Sequence, residues 1–333
     1  MSGNTQENTI SQWIAEQRDQ RTLQDWIIDV GPFAMLMILG VVFSLQSENF
    51  LTYGNLVTNV AKNSAFLLLV ALAGTFPILQ QSIDLSVAQL VTLTGVVAAV
   101  LVGDYGVFAL VIAVFVGMLA GAINGLVFTK LKVPSFLVTL GTLSIMGGLA
   151  LIVTDGSSIT FRNDTVRNIA TGEWIPGVPN LVMWGLLFYG FTVFLAWRTK
   201  FGRYCYALGE NERVVELAGA KVDRYKIYPF ILSGLLCGVA GALLAARISS
   251  GSAQMGEGFL LPSIAAIVMG GTALTGGVGG PHRTLLGVLV IAVLQNGMNL
   301  TAVDPFIQEI VLGVVVVAAV ALSIDRRKID VVK

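Results

Sequence analysis

An all-α integral membrane protein, a polytopic bundle of about ten helices with some of them short or broken, is the fold class that this 333-residue chain predicts. Three observations carry that expectation. Hydrophobic residues make up 55% of the chain and charged ones only 12%, against roughly a quarter charged in a soluble domain, and the mean hydropathy is +0.80. The 37 glycines sit mostly inside apolar runs, where small residues let transmembrane helices approach closely. Apolar stretches recur along the chain near 30–45, 61–79, 85–102, 107–128, 136–154, 181–197, 229–247, 259–271, 285–300 and 306–324.

Each stretch is judged by length, because a span needs about 20 mostly apolar residues at 1.5 Å of rise each. The run over 259–271 is too short and predicts a partial helix. Residues 1–29 read as an interfacial segment in which Trp13, Ile14, Leu23, Trp26 and Ile27 interleave with polar residues, and no basic region leads into a cleavable leader. The membrane domain is expected over 30–324, with a charged loop at 198–228 and a tail at 325–333. Sixteen Lys and Arg gather on the side of the N-terminus and four on the other, which predicts that both termini are cytoplasmic. The long opposite loop, 155–180, then faces the periplasm of a bacterial cell.

Several function classes fall away. The formal net charge is zero, so nothing points to nucleic acid. No Gly-x-x-x-x-Gly-Lys-Ser/Thr occurs, so no phosphate-cradling loop is encoded, and the glycines of 270–280 lack the lysine such a loop requires. His282 is the only histidine, and Cys205 and Cys237, the only cysteines, read as packing residues; no metal or cofactor of the chain's own is expected, and it is not an obvious enzyme.

Charge embedded in a span is costly and marks function by default. Asp84, in Gln81-Ser82-Ile83-Asp84-Leu85-Ser86-Val87, either caps a helix at the surface or belongs to a broken helix inside the bundle. Asn124, Thr139, Thr142, Gln295, Asn296 and Asn299 are uncharged polar residues within spans; with Asp84 they are the candidate lining of a substrate path for a neutral polar solute. Singly, each reads first as interhelical glue, and only together do they point to a path for such a solute.

The densest charge falls in mid-chain, from Gly202 to Lys226. Here Asn211 is placed to cap a helix, Glu212 and Glu216 share a face, Val214, Val215, Leu217 and Ala218 form an apolar patch, and Gly219 supplies a stop. About two turns of helix are marginal alone in water, so this one needs a surface to lie on. Its plain reading is a loop helix facing headgroups; its sharper one is a docking element that passes a partner's motion to the adjoining spans. On residues alone, an ATP-driven importer and an ion-coupled secondary transporter or channel both remain open.

Seven blocks in order add a resemblance: Ile83-Asp84-Leu85-Ser86-Val87; Asn124-Gly125; Val133-Pro134-Ser135 through Gly141-Thr142; Gly202-Arg203 through Asn211-Glu212 and Ala218-Gly219; Ser233-Gly234-Leu235; Ile264-Ala265-Ala266 through Gly270-Gly271-Thr272; and Asn296-Gly297. Over nearly the whole chain it resembles the permease subunits of bacterial ribose/xylose/arabinose-type ABC importers. That resemblance implies a monosaccharide or polyol as cargo across the inner membrane. It implies two ATPase subunits that bind ATP and Mg, a periplasmic sugar-binding protein, and a second permease as homo- or heterodimer. It further implies that Asn211, Glu212, Arg213, Val215, Glu216, Leu217, Ala218 and Gly219 form the coupling helix. The chain departs from the family pattern at Gln81, Ser82 and Ala88, where glycines are usual, and at Leu260 and Pro262, where acidic residues are usual.

Overall fold

Helix follows helix along the chain because the apolar runs leave no other way to satisfy backbone groups in hydrocarbon. The computed structural model describes residues 23–323. Most of the interfacial segment expected over 1–29, including Trp13 and Ile14, and the whole 325–333 tail lie outside the described residues.

In chain order the helices are α1 (Leu23–Gln46), α2 (Lys62–Leu79), α3 (Val87–Tyr105), α4 (Phe108–Lys130), α5 (Ser135–Thr154), α6 (Asp164–Thr171), α7 (Asn180–Arg198), α8 (Lys200–Glu210), α9 (Glu212–Leu217), α10 (Val222–Ile248), α11 (Leu260–Met269), α12 (Pro281–Leu300) and α13 (Pro305–Ser323). A π-helical segment, Gly54–Ala61, runs directly into α2. Among the described residues, seven helices are long and apolar enough to cross a membrane, and the shorter apolar ones are Val30–Gln46, Glu257–Met269 and Pro305–Ala321. All ten apolar stretches of the sequence are therefore helical. The stretch expected to be partial is the ten-residue α11, entered through a 3₁₀ turn at Glu257–Phe259.

α2 is buried on every side from Ser64 to Leu79, as an all-round apolar helix must be, and α10 packs against α2, α3 and α4. Among the described residues the α4–α10 contact is the most extensive. Gly117 and Gly121 on α4 face Gly234 and Gly238 on α10, each pair four residues apart, and a methyl group on Gly117 or Gly121 would collide with Gly234 O or Phe230 O. Two Gly-x-x-x-Gly faces thus let the backbones touch, and dispersion replaces the hydrophobic effect that lipid cannot supply. α5, by contrast, packs mainly on α3 and α4 and turns Ile145, Leu149 and Ile152 outward.

The loop 155–179 is not shapeless. Ile159–Thr160 pairs antiparallel with Ser250–Gly251, and Asn163 caps the amphipathic α6, its side chain accepting Val166 N at 3.1 Å. These elements, the π segment and the start of α11 share one end of the bundle; α8, α9 and the 270–280 loop share the other.

Candidate functional site

The structure parts the candidate path residues into two groups. The first surrounds Asp84, which is 4% exposed and so lies inside the bundle. Between α2 and α3 the chain is irregular over 82–85, and two of its amides are met by α5: Ile83 N donates to Ser135 Oγ at 3.1 Å and Leu85 N to Thr139 Oγ1 at 3.1 Å. Asp84 Oδ1 accepts Ser86 N at 3.0 Å and Ser86 Oγ at 2.6 Å, and Oδ2 accepts Ser233 Oγ of α10 at 2.7 Å. Asn124 Nδ2 of α4 donates to Ser86 Oγ at 2.9 Å. Three donors meet the buried carboxyl group of Asp84, and they join the start of α3 to α10. Thr142 Oγ1 turns back to Thr139 O at 3.2 Å.

The second group lies at the opposite end. Asn59 and Leu79 are twenty residues apart, about 30 Å along a helix. Gln295, Asn296 and Asn299 line a cavity of about 350 Å³ together with Asn59, Asn63, Arg247, Gln308, Phe66 and Phe259, and among the described residues neither Asp84 nor any other carboxylate lines it. Asn55 and Asn296 exchange reciprocal amide bonds of 2.8 and 2.9 Å, and Asn59 Nδ2 donates to Asn55 Oδ1 at 3.0 Å. Arg247 Nη1 donates to Asn63 Oδ1 at 3.2 Å and its guanidinium sits 5.4 Å from the centre of the Phe66 ring, which leans on Phe259 at 6.4 Å. Amides that donate and accept, one cation and two aromatic faces suit a compact polyhydroxylated guest. Asn59, Asn63, Arg247 and Gln308 were not singled out from the sequence. Their signal was nonetheless present: Asn55, Asn59 and Asn63 repeat every four residues, as Gln295 and Asn299 do.

At the other end, α9 is built as its spacing predicts. Asn211 Oδ1 accepts Val214 N at 3.2 Å. Gly219, at φ +76°, closes the helix with Gly219 N on Glu216 O at 2.9 Å and Ala220 N on Val215 O at 3.4 Å, a Schellman stop. Lys226 Nζ reaches the Glu212 carboxylate at 2.6 Å, and Arg213 reaches Glu216 at 3.3 Å. The apolar patch divides: Val215 turns inward at 4% exposure, whereas Val214 and Leu217 stand out at 60% and 76%. In α8, burial pushes the Cys205 thiol well above its usual range. Both cysteines are buried and free, as packing residues are.

A greasy bundle with a buried polar cluster at one end, an amide cavity at the other and a small capped helix at the same end as the cluster is what the comparisons with known proteins then place. Residues 56–320 match the family described as "Branched-chain amino acid transport system / permease component". The ribose import permease protein RbsC of Bacillus subtilis (strain 168) is 38% identical over 90% of this chain and 93% of its own length. The chain belongs to this permease family. The ribose import permease protein RbsC of Escherichia coli (strain K12) is 35% identical, covering 91% of the permease described here and 95% of its own length. The L-arabinose transport system permease protein AraH of the same organism is 33% identical, covering 89% of each. No solved structure matches the chain. The permease is thus a multi-pass membrane component of a transport system.

Proposed function

We propose that this permease carries a monosaccharide or related polyol across the bacterial inner membrane, with ATP hydrolysed on partner subunits. The observation that carries this reading is the cavity in which Asn59, Asn63, Gln295, Asn296, Asn299 and Gln308 converge with Arg247 over Phe66. Each sugar hydroxyl both donates and accepts, and so does each amide, so a transient ring of such groups replaces water around the cargo without holding it as tightly as a charge would. Relatives named for ribose and arabinose support the same cargo class.

The Lys and Arg bias supports cytoplasmic termini, which sets α9 on the cytoplasmic side and the cavity toward the periplasm. On that orientation a periplasmic binding protein delivers cargo to the cavity, and two ATPase subunits, holding ATP and Mg, press on α9 of this permease and of a second one. Exposed Val214 and Leu217 support α9 as the docking surface. An ion-coupled carrier has little to work with: Asp84, its one embedded carboxylate candidate, is held by Ser86 and Ser233 away from the cavity.

The test is uptake of labelled ribose, arabinose and a non-sugar amino acid into vesicles holding the permease with its ATPase and binding protein. Sugar uptake that needs ATP, and that falls about tenfold or more in Asn63→Leu and Asn299→Leu complexes that still assemble, is the expected result, tenfold answering to about one lost hydrogen bond. Uptake that ignores ATP, or full activity in both variants, overturns it.

A further inference from the structure

Three backbone segments meet at one point beneath α9. Gly209, near the end of α8, has no room for a side chain: a Cβ there would collide with Leu79 O at the end of α2 and with Gly277 N in the 270–280 loop. Gly277 N itself donates to Leu79 O at 2.9 Å. Gln81 stands beside this contact at φ +61°, a left-handed backbone that side-chain-bearing residues seldom adopt. That conformation folds the side chain back across the junction, where Nε2 donates to Gly209 O at 2.9 Å and to Thr275 O at 2.6 Å. One amide therefore joins the exit of α2, the segment just ahead of the Asn211 cap, and the loop between α11 and α12.

Those same elements end in the cavity. The chain running through α2 carries Asn59 and Asn63, α11 carries Pro262, and α12 carries Gln295, Asn296 and Asn299. Helices are stiff along their axes, so a displacement at one end reappears at the other when the ends are joined. We propose that Gln81 is the pin through which movement of α8 and α9 is passed to α2, α11 and α12. It acts as a positioning residue and touches neither cargo nor nucleotide. The proposal rests on the reading of α9 as the ATPase contact. Without the pin, α9 still receives its partner, but its motion slips at the Gly209 contact.

The experiment uses the reconstituted complex and reads sugar molecules transported per ATP hydrolysed. Gln81→Gly removes both hydrogen bonds while relieving the left-handed backbone, so the change adds no backbone strain. Gln81→Met removes the donors at nearly constant volume, and Gln81→Lys keeps a donor of similar reach. In the glycine and methionine variants basal hydrolysis persists and sugar per ATP falls about tenfold or more, since one lost hydrogen bond already answers to about tenfold; the lysine variant recovers most of the ratio. A wild-type ratio in the glycine and methionine variants overturns the proposal, as does a lysine variant no better than methionine. Failure of the glycine variant to assemble also overturns it, since Gln81 would then be a folding element. Wild-type uptake that is indifferent to ATP refutes the importer reading instead, and is seen before any variant is made.

Discussion

Leu217 offers the sharpest measurement on α9. Its side chain is 76% exposed and Val214 is 60% exposed, on a helix anchored from below by Val215. Covering a leucine or valine fully contributes about 1.5–3 kcal/mol, so three-quarters of a leucine stands for about 1.5 kcal/mol and somewhat over half of a valine for about 1 kcal/mol. Leu217→Ala should therefore weaken ATPase binding by about tenfold, and the double variant with Val214→Ala by somewhat under a hundredfold. The assay is a titration of the purified ATPase against detergent-solubilised permease held on a surface, read as Kd. Asn211→Ala is a useful companion: it leaves the apolar contacts in place but removes the cap, at about 1 kcal/mol, and should weaken binding through a looser helix. A double variant whose Kd stays within about twofold of wild type refutes the reasoning, because the apolar face of α9 would then remain uncovered in the complex.

Two further outcomes follow from the packing. Gly121→Val drives a branched side chain into Phe230 O and should lower the thermal midpoint sharply, by the 1–3 kcal/mol or more of an overpacked contact, whereas Gly190→Ala on α7, where a Cβ meets open space, should hold it or raise it slightly; a circular-dichroism melt in detergent separates the two. Ser233→Ala leaves the buried Asp84 short of one of its three donors and should cost about 1.5–3 kcal/mol, and an unshifted melt would show that the carboxylate does not need α10.

The helices were legible because a span announces itself by length and composition, and α9 because Asn211 and Gly219 bracket it in a way that depends only on neighbouring residues. Asp84 was legible as important but not in its setting. Whether it meets solvent or Ser233 depends on a residue 149 positions away, and no local pattern encodes that distance. The cavity was half legible: Gln295, Asn296 and Asn299 stood out as polar residues in an apolar run, while Asn59, Asn63 and Arg247 near span ends looked like ordinary boundary residues. Only the folding of α2, α10 and α12 side by side turns them into one lining. Gln81 was noted as a departure from a family pattern, yet its two carbonyl partners come from segments that are adjacent only in space.

The reciprocal Asn55–Asn296 amide pair has a consequence for the medium the permease lives in. Carboxamides neither gain nor lose protons at any acidity a bacterium survives, and the lone guanidinium of Arg247 stays charged throughout that range. The described residues that line this cavity are therefore blind to acidity. A drift of the surroundings from neutral to sour leaves the charge of that lining as it was.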